Sequence, residues 1–401
     1  MQRVNATPRP AGALEAMLLM LAAVLPVMGT LTMIPVIPLL FSHFAGHPHA
    51  QLLVPMIITV PSISMALVAP LAGVIGDRMS RRRLLIAATG VYALFGLLPI
   101  ALESLTTILL ARMRMIMGIA DAFILTTANA LIGDYFSGAA RSRWLAVQSG
   151  AGSVMATLII LTSGFLGVFG WTGPVFLYAL AIPVFAGLLL FTREPLTRST
   201  GCSTEEQRAQ PFPRGQMLFI CAITLVSGTI YFLEPLQISQ VFNQLGMHSS
   251  SHIGMATAVA GIGVPLGAWI YGRMAKQHIE KQFLTFYSVF GTGLLCIALA
   301  GNAITGIMAA FIAQIGNGML IPLMLGWVIK VLPAQHRAKG MGLWHTFFFL
   351  GMFLSPVSVT ALNSITGKLQ DSLLIFAVMT LAIAITITLL SARTRGRVTI
   401  N

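Results

Sequence analysis

Twelve apolar runs, most of 20 residues or more, constrain this 401-residue chain more than any other feature. They fall at 13–41, 52–75, 83–102, 104–132, 143–168, 172–191, 215–236, 250–274, 282–301, 303–330, 338–363 and 370–391. A helix needs about 20 apolar residues to cross a bilayer, and the longer runs must tilt or protrude. A membrane β-barrel would instead show short segments of alternating polarity. The expected fold class is therefore an all-α membrane protein with twelve transmembrane helices. Charged residues make up only 9% of the chain and apolar residues 56%, with mean hydropathy +0.86. A soluble domain carries about 25% charged residues.

The few charges are placed with a strong bias. With the N-terminus inside, 21 of the 24 Lys and Arg fall in cytoplasmic segments, and Lys368 alone falls in an outer loop. Arg112 and Arg114 lie within the fourth run. This is the positive-inside pattern, and it predicts cytoplasmic termini. It also accounts for the net charge of +13 without a nucleic-acid partner. Three scattered cysteines, Cys202, Cys221 and Cys296, fit neither a disulfide framework nor metal-ligand spacing. The polar start of the chain is followed by a run long enough to stay in the membrane, so no cleavable signal peptide is expected.

An internal repeat divides the chain. Ala69-Pro-Leu-Ala-Gly-Val-Ile-Gly-Asp-Arg-Met79 returns 195 residues later as Val264-Pro-Leu-Gly-Ala-Trp-Ile-Tyr-Gly-Arg-Met274. Nearly the same shift carries Arg141 to Arg337. The expected domains are an N-terminal six-helix half (1–191), a charged central loop (192–214) and a C-terminal six-helix half (215–401). Parallel halves of this kind place a substrate site between them, near the midplane.

The stretch 73–83 packs Gly73, Asp77, Arg78, Arg81, Arg82 and Arg83 into one turn. It resembles the loop motif between helices 2 and 3 of the major facilitator superfamily, loosely Gly-x-x-x-Asp-Arg-x-Gly-Arg-Arg/Lys. Gly73, Asp77, Arg78, Arg81 and Arg82 match, while Ser80 stands where the family has its second glycine. A glycine there would serve a turn with positive φ, so Ser80 implies a different turn or a small cost. Gly73 would let a neighbouring helix approach. The resemblance implies a gating loop, a cytoplasmic latch in which Asp77 accepts hydrogen bonds from arginine or from a helix N-terminus in the other half. At the repeat, Gly272 stands where Asp77 would be, so the latch is expected to be weak or absent in the second half.

Helix 4 carries Arg114 and Gly118 in Leu110-Ala-Arg-Met-Arg-Met-Ile-Met-Gly118, similar to the family's Arg-x-x-x-Gly motif, which the resemblance ties to proton coupling. Asp121 lies seven residues beyond Arg114, on the same helix face and about 10 Å along the axis. The pair reads either as a proton-coupling site or as a structural ion pair. Glu234, near the end of the seventh run, reads either as an interfacial glutamate or as a cation or proton site. His345 reads as a cavity residue or a hydrogen-bonded histidine. Asn129, Gln148, Gln314 and Asn317 can line a cavity or bridge helices. Helix 5 lacks the family's antiporter Gly-Pro, and a near match appears in helix 11 at Gly342, Gly351 and Ser355-Pro356. No phosphate-binding loop, HExxH or nucleophile–base arrangement is present, so neither ATP coupling nor enzymatic chemistry is expected.

These observations and the resemblance imply a multi-pass transporter of the bacterial inner membrane, moving a small organic solute by rocking its halves. The expected energy source is the proton gradient, with no bound cofactor and no metal. Its partners would be the lipid bilayer, the solute and protons, with no nucleic acid, and the chain is expected to act as a monomer. Proton-coupled efflux is the leading expectation. Proton-linked uptake, facilitated diffusion of a nutrient, and a transporter-like sensor without flux are the alternatives.

Overall fold

A computed structural model of the chain describes residues 13–47, 50–102, 106–136, 138–193, 212–333 and 336–398. The side chains of Asp77 and Gln148 lie outside the described residues, as does most of the expected central loop. Helix α1 (Ala13–Leu31) passes through a 3-10 turn (Ile34–Val36) into α2 (Ile37–His43). Then come α3 (Ala50–Arg78), α4 (Arg81–Ala101), α5 (Thr107–Tyr135) and α6 (Gly138–Leu166). A 3-10 segment (Gly173–Leu180) leads into α7 (Ala181–Phe191). The second set is α8 (Arg214–Tyr231), α9 (Leu233–Gln244), α10 (Ser250–Gly261), α11 (Gly263–Met274), α12 (Ile279–Ala298), α13 (Ala303–Val331), α14 (Arg337–Thr366) and α15 (Leu369–Val398).

Joined end to end, α1–α2, α8–α9 and α10–α11 each make one crossing, and among the described residues twelve crossings result. Ten segments among the described residues are long and apolar enough to span a bilayer. The other two crossings, α6 and α12, have charged or polar first turns.

The breaks have a common cause. Proline has no N–H, and its ring clashes with the carbonyl four residues earlier. Helix α1 ends at Leu31, four before Pro35. Helix α8 ends at Tyr231, four before Pro235, and α10 ends at Gly261, four before Pro265.

Each set of helices has its own apolar core. One core draws on buried residues from Leu18 to Leu188, joined by Leu236. The other runs from Met217 to Ala384. Phe232, at the α8–α9 break, packs against both. The halves also meet where Gly164 of α6 faces Gly254 of α10. A Cβ on Gly164 would lie 2.8 Å from the Gly254 Cα. Helices α3 and α14 touch midway, where Thr346 Oγ1 donates to the Ala66 carbonyl at 3.2 Å. Closer to the arginine-rich end, side chains added at Gly73 or Gly342 would meet only open space. The halves therefore meet closely at the arginine-poor end, at Gly164 and Gly254.

Candidate functional site

Helix α5 carries the most deeply buried cation among the described residues. Thr106 caps its start, Oγ1 accepting from the Leu109 N–H at 3.2 Å. Gly118 lets α5 press against α3, where a Cβ would come within 2.3 Å of the Pro61 carbonyl oxygen. Four residues earlier, Arg114 is 2% exposed. Its guanidinium donates to Tyr178 Oη at 2.6 Å, to the Ile57 carbonyl at 3.3 Å and to the Gly29 carbonyl. Tyr92 extends the cluster, donating to the Leu25 carbonyl at 2.8 Å with its ring edge-on to Tyr178.

Asp121 is equally buried, at 2% exposure. It shares the neighbourhood of Gly29, whose Cβ, were there one, would sit 3.3 Å from Asp121 Oδ2. Yet the two charges form no ion pair; the salt bridge seen among the described residues is elsewhere. Backbone carbonyls and a phenol take up the arginine's donors instead. Asp121 Oδ1 is left buried without a hydrogen-bond partner. The shared helix face was legible in the sequence, but the partners Gly29, Ile57 and Tyr178 were not. Carbonyls leave no trace in a sequence, and a tyrosine in an apolar run is unremarkable.

Glu234 corrects the interfacial reading. It is 1% exposed, and Oε2 accepts from Gln314 Nε2 at 2.8 Å. Oε1 has no partner. The crossing does not end just past residue 234; α9 continues to Gln244, so Glu234 lies inside it. The polar side chains Gln237 and Ser239 hid this extension, because they are buried in protein. Three residues along α13 from Gln314, Asn317 is 2% exposed, with both side-chain polar atoms unpartnered.

The loop at 73–83 takes the different turn that Ser80 implied. Ser80 has φ −64° and caps α4, its Oγ accepting from the Arg83 N–H at 3.1 Å. No positive φ is needed there, and a serine N-cap favours the helix. Arg81 forks onto Asp134 at the end of α5, with Nη1 at 2.9 and 2.7 Å from its two oxygens. Arg82 donates to the Leu189 and Thr192 carbonyls at 2.8 Å each. Both arginines thus staple the first half to itself. Arg78 is exposed, and a Cβ on Gly73 would meet open space. Asp134 went unnoticed in the sequence because an acid at a helix end is ordinary.

His345 is half-buried, with Nδ1 2.9 Å from the Met341 carbonyl one turn back in its own helix. Asn129 is half-buried on α5. Of the two glycines in the helix 11 motif, Gly351 alone would bring a Cβ against a neighbour, the backbone of Gly228 and Thr229 on α8. The described residues hold no group of three or more His, Cys, Asp or Glu placed to bind a metal.

Solved transporters share this arrangement of helices. The nucleoside transporter NupG superposes with a TM-score of 0.74 at 12% identity, covering 94% of this chain and 99% of that one. A bacterial homolog of the human lysosomal transporter Spinster, in an inward-facing and occupied conformation, gives 0.74 at 16% identity, covering 97% and 98%. The tetracycline resistance protein, class H, of Pasteurella multocida is 23% identical over 373 residues, 89% of this chain and 91% of that protein. The MFS-type transporter YhcA of Bacillus subtilis (strain 168) is 31% identical over 98 residues, 24% of this chain and 17% of that protein. The Major Facilitator Superfamily model matches residues 19–356 and 216–400, and the chain belongs to that family.

Proposed function

We propose that this transporter exports a small lipophilic organic solute across the bacterial inner membrane in exchange for protons, with both termini in the cytoplasm. The observation that carries the proposal is the buried Arg114–Asp121 centre of α5, where the carboxylate keeps an oxygen without a partner. Ionisable groups inside a membrane protein are costly and mark ion pathways. Here the guanidinium is held by fixed acceptors and does not move with the proton. Asp121 can then gain or lose a proton without rebuilding the cluster. Its negative form is balanced by Arg114 nearby, and its neutral form leaves Arg114 bound to carbonyls. Similarity to a tetracycline resistance protein supports the outward direction.

Alternating access follows from rocking the halves about their contacts. Gly164 and Gly254 close one end, while the Ala66–Thr346 contact lies midway between α3 and α14. The test uses purified protein in liposomes with an imposed pH gradient, measuring flux of lipophilic amines and sugars. Asp121→Asn is expected to abolish gradient-driven flux while leaving solute binding intact. Unchanged active transport in that variant would overturn Asp121 as the proton carrier.

A further inference from the structure

We infer that Glu234, Gln314 and Asn317, together with the aromatic cluster of Phe232, Trp344 and Phe348, form a recognition site for the ammonium head of an amphiphilic aromatic amine. The inference rests on the transport function proposed above and names the class of solute carried.

Three independent features converge on this place. The first is unmet hydrogen bonding. Glu234 Oε1 and both polar atoms of Asn317 are buried with no partner. An ionised carboxylate accepts several donors, and an amide both accepts and donates. Gln314 satisfies one oxygen of Glu234, and no cation lies within salt-bridge distance of it among the described residues. Gln314 and Asn317 are three residues apart on α13, so they project about 60° apart, on one side of the helix.

The second feature is the backbone. Glu234 sits in the first turn of α9, directly after the break at Phe232. Gln314 lies at the α10–α11 break, its Cβ 3.1 Å from where a Cβ on Gly263 would be. Transporters place substrate and ion sites at interrupted helices of this kind. Phe232 packs against both cores, which puts the site next to the junction of the halves.

The third is the aromatic cluster. Phe232 and Phe348 have ring centroids 5.4 Å apart, and Trp344 stacks on Phe348 at 5.1 Å. Tyr231 lies 5.5 Å from Phe348. Trp344 Nε1 is buried without a partner. Ring faces attract cations, and the rings also accept an aromatic body. A protonated amine supplies N–H donors to Glu234 Oε1 and Asn317 Oδ1, and it brings the positive charge that no described residue places beside Glu234. An anion would be repelled by Glu234, and a neutral solute would leave the carboxylate unbalanced.

The test is equilibrium binding of dansylcadaverine, a fluorescent aromatic ammonium, to the purified full-length protein at fixed pH with no gradient. Its N-acetylated, neutral form is the control. Wild type is expected to bind the ammonium form at least about tenfold more tightly than the control, as expected for a desolvated charge pair. Glu234→Gln, which keeps an acceptor for Gln314, is expected to lose about tenfold or more in affinity. Asn317→Ala is expected to lose about threefold or more, the effect of one hydrogen bond. Glu234→Asp should recover part of the loss. Thermal unfolding checks each variant, and Asn317→Ala decides the matter if Glu234→Gln does not fold. Equal binding of the two probes, no binding by wild type, or unchanged affinity in the variants overturns the inference. Because no gradient is applied, a failure of the proton-exchange reading through Asp121 would leave this binding result standing.

Discussion

The two halves use corresponding helices, α5 and α13, to bury polar groups, and they do so in opposite ways. Each helix presses a glycine into its neighbour. A Cβ on Gly118 would come within 2.3 Å of the Pro61 oxygen, and one on Gly318 within 2.0 Å of the Val264 oxygen. Each half leaves a buried carboxylate oxygen without a partner, on Asp121 in the first and Glu234 in the second. Among the described residues only the first half buries a cation near its carboxylate, and it anchors that cation to backbone carbonyls and Tyr178. A carboxylate beside a fixed guanidinium has its countercharge built in. A carboxylate with only Gln314 for company has no built-in countercharge, so it is open to a proton or to a cation from outside. This contrast is the physical basis for reading the first half as the proton site and the second as the solute site.

The largest expected effect breaks the anchored side. Arg114→Leu leaves the Ile57 carbonyl and the Tyr178 hydroxyl oxygen without their donor and the Gly29 carbonyl with only the Tyr178 O–H at 3.2 Å, and it strips Asp121 of its countercharge. Removing one partner of a buried charged cluster costs about 3–5 kcal/mol. Thermal unfolding of the detergent-solubilised protein should show it as a large fall in Tm. Glu234→Gln should shift Tm far less, because no internal cation depends on that charge. Equal shifts in the two variants would remove the contrast between the halves.

Next in size is the packing that the halves share. Gly118→Ala and Gly318→Ala each force a methyl into a neighbouring backbone. Overpacking of this kind costs about 1–3 kcal/mol. Similar losses in the two variants would confirm that α5 and α13 play the same scaffolding role beneath different chemistry. A tolerated Gly318→Ala would mean that the second half repacks where the first cannot.

Some of this was legible in the sequence for physical reasons. Hydropathy and the arginine bias are written at every position, so the number and order of crossings could be read directly. Arg114 and Asp121 stood out because charge inside an apolar run is rare. The depth of Glu234 was hidden because Gln237 and Ser239 look like a helix end, although they are buried against protein. The breaks were half legible. Pro35, Pro235 and Pro265 each end a helix four residues earlier, while Pro26, Pro61 and Pro356 sit inside continuous helices. Composition alone cannot separate the two cases, since the outcome depends on whether neighbouring groups satisfy the freed carbonyl. The partners of Arg81 could not be read either, because Asp134 is 53 residues away and meets it only after α4 and α5 pack.

The smallest expected effect lies at the arginine-rich turns, where the halves differ again. In the first half, Arg81 Nη1 donates to both oxygens of Asp134, with side chains 15% and 0% exposed. In the second half, the repeat brings Arg273 to the matching turn, where its guanidinium lies 3.6 Å from the centroid of the exposed Trp269 ring. Arg81→Gln should therefore cost about 1 kcal/mol, near the upper end for an ion pair close to the surface. Added salt should shrink the difference from wild type. Arg273→Gln should cost less, and its effect should respond less to salt, because the partner is a ring and not a carboxylate. Both are read by unfolding at low and high ionic strength. A larger, salt-sensitive loss for Arg273→Gln would reveal an acidic partner at the second turn and make the two turns alike.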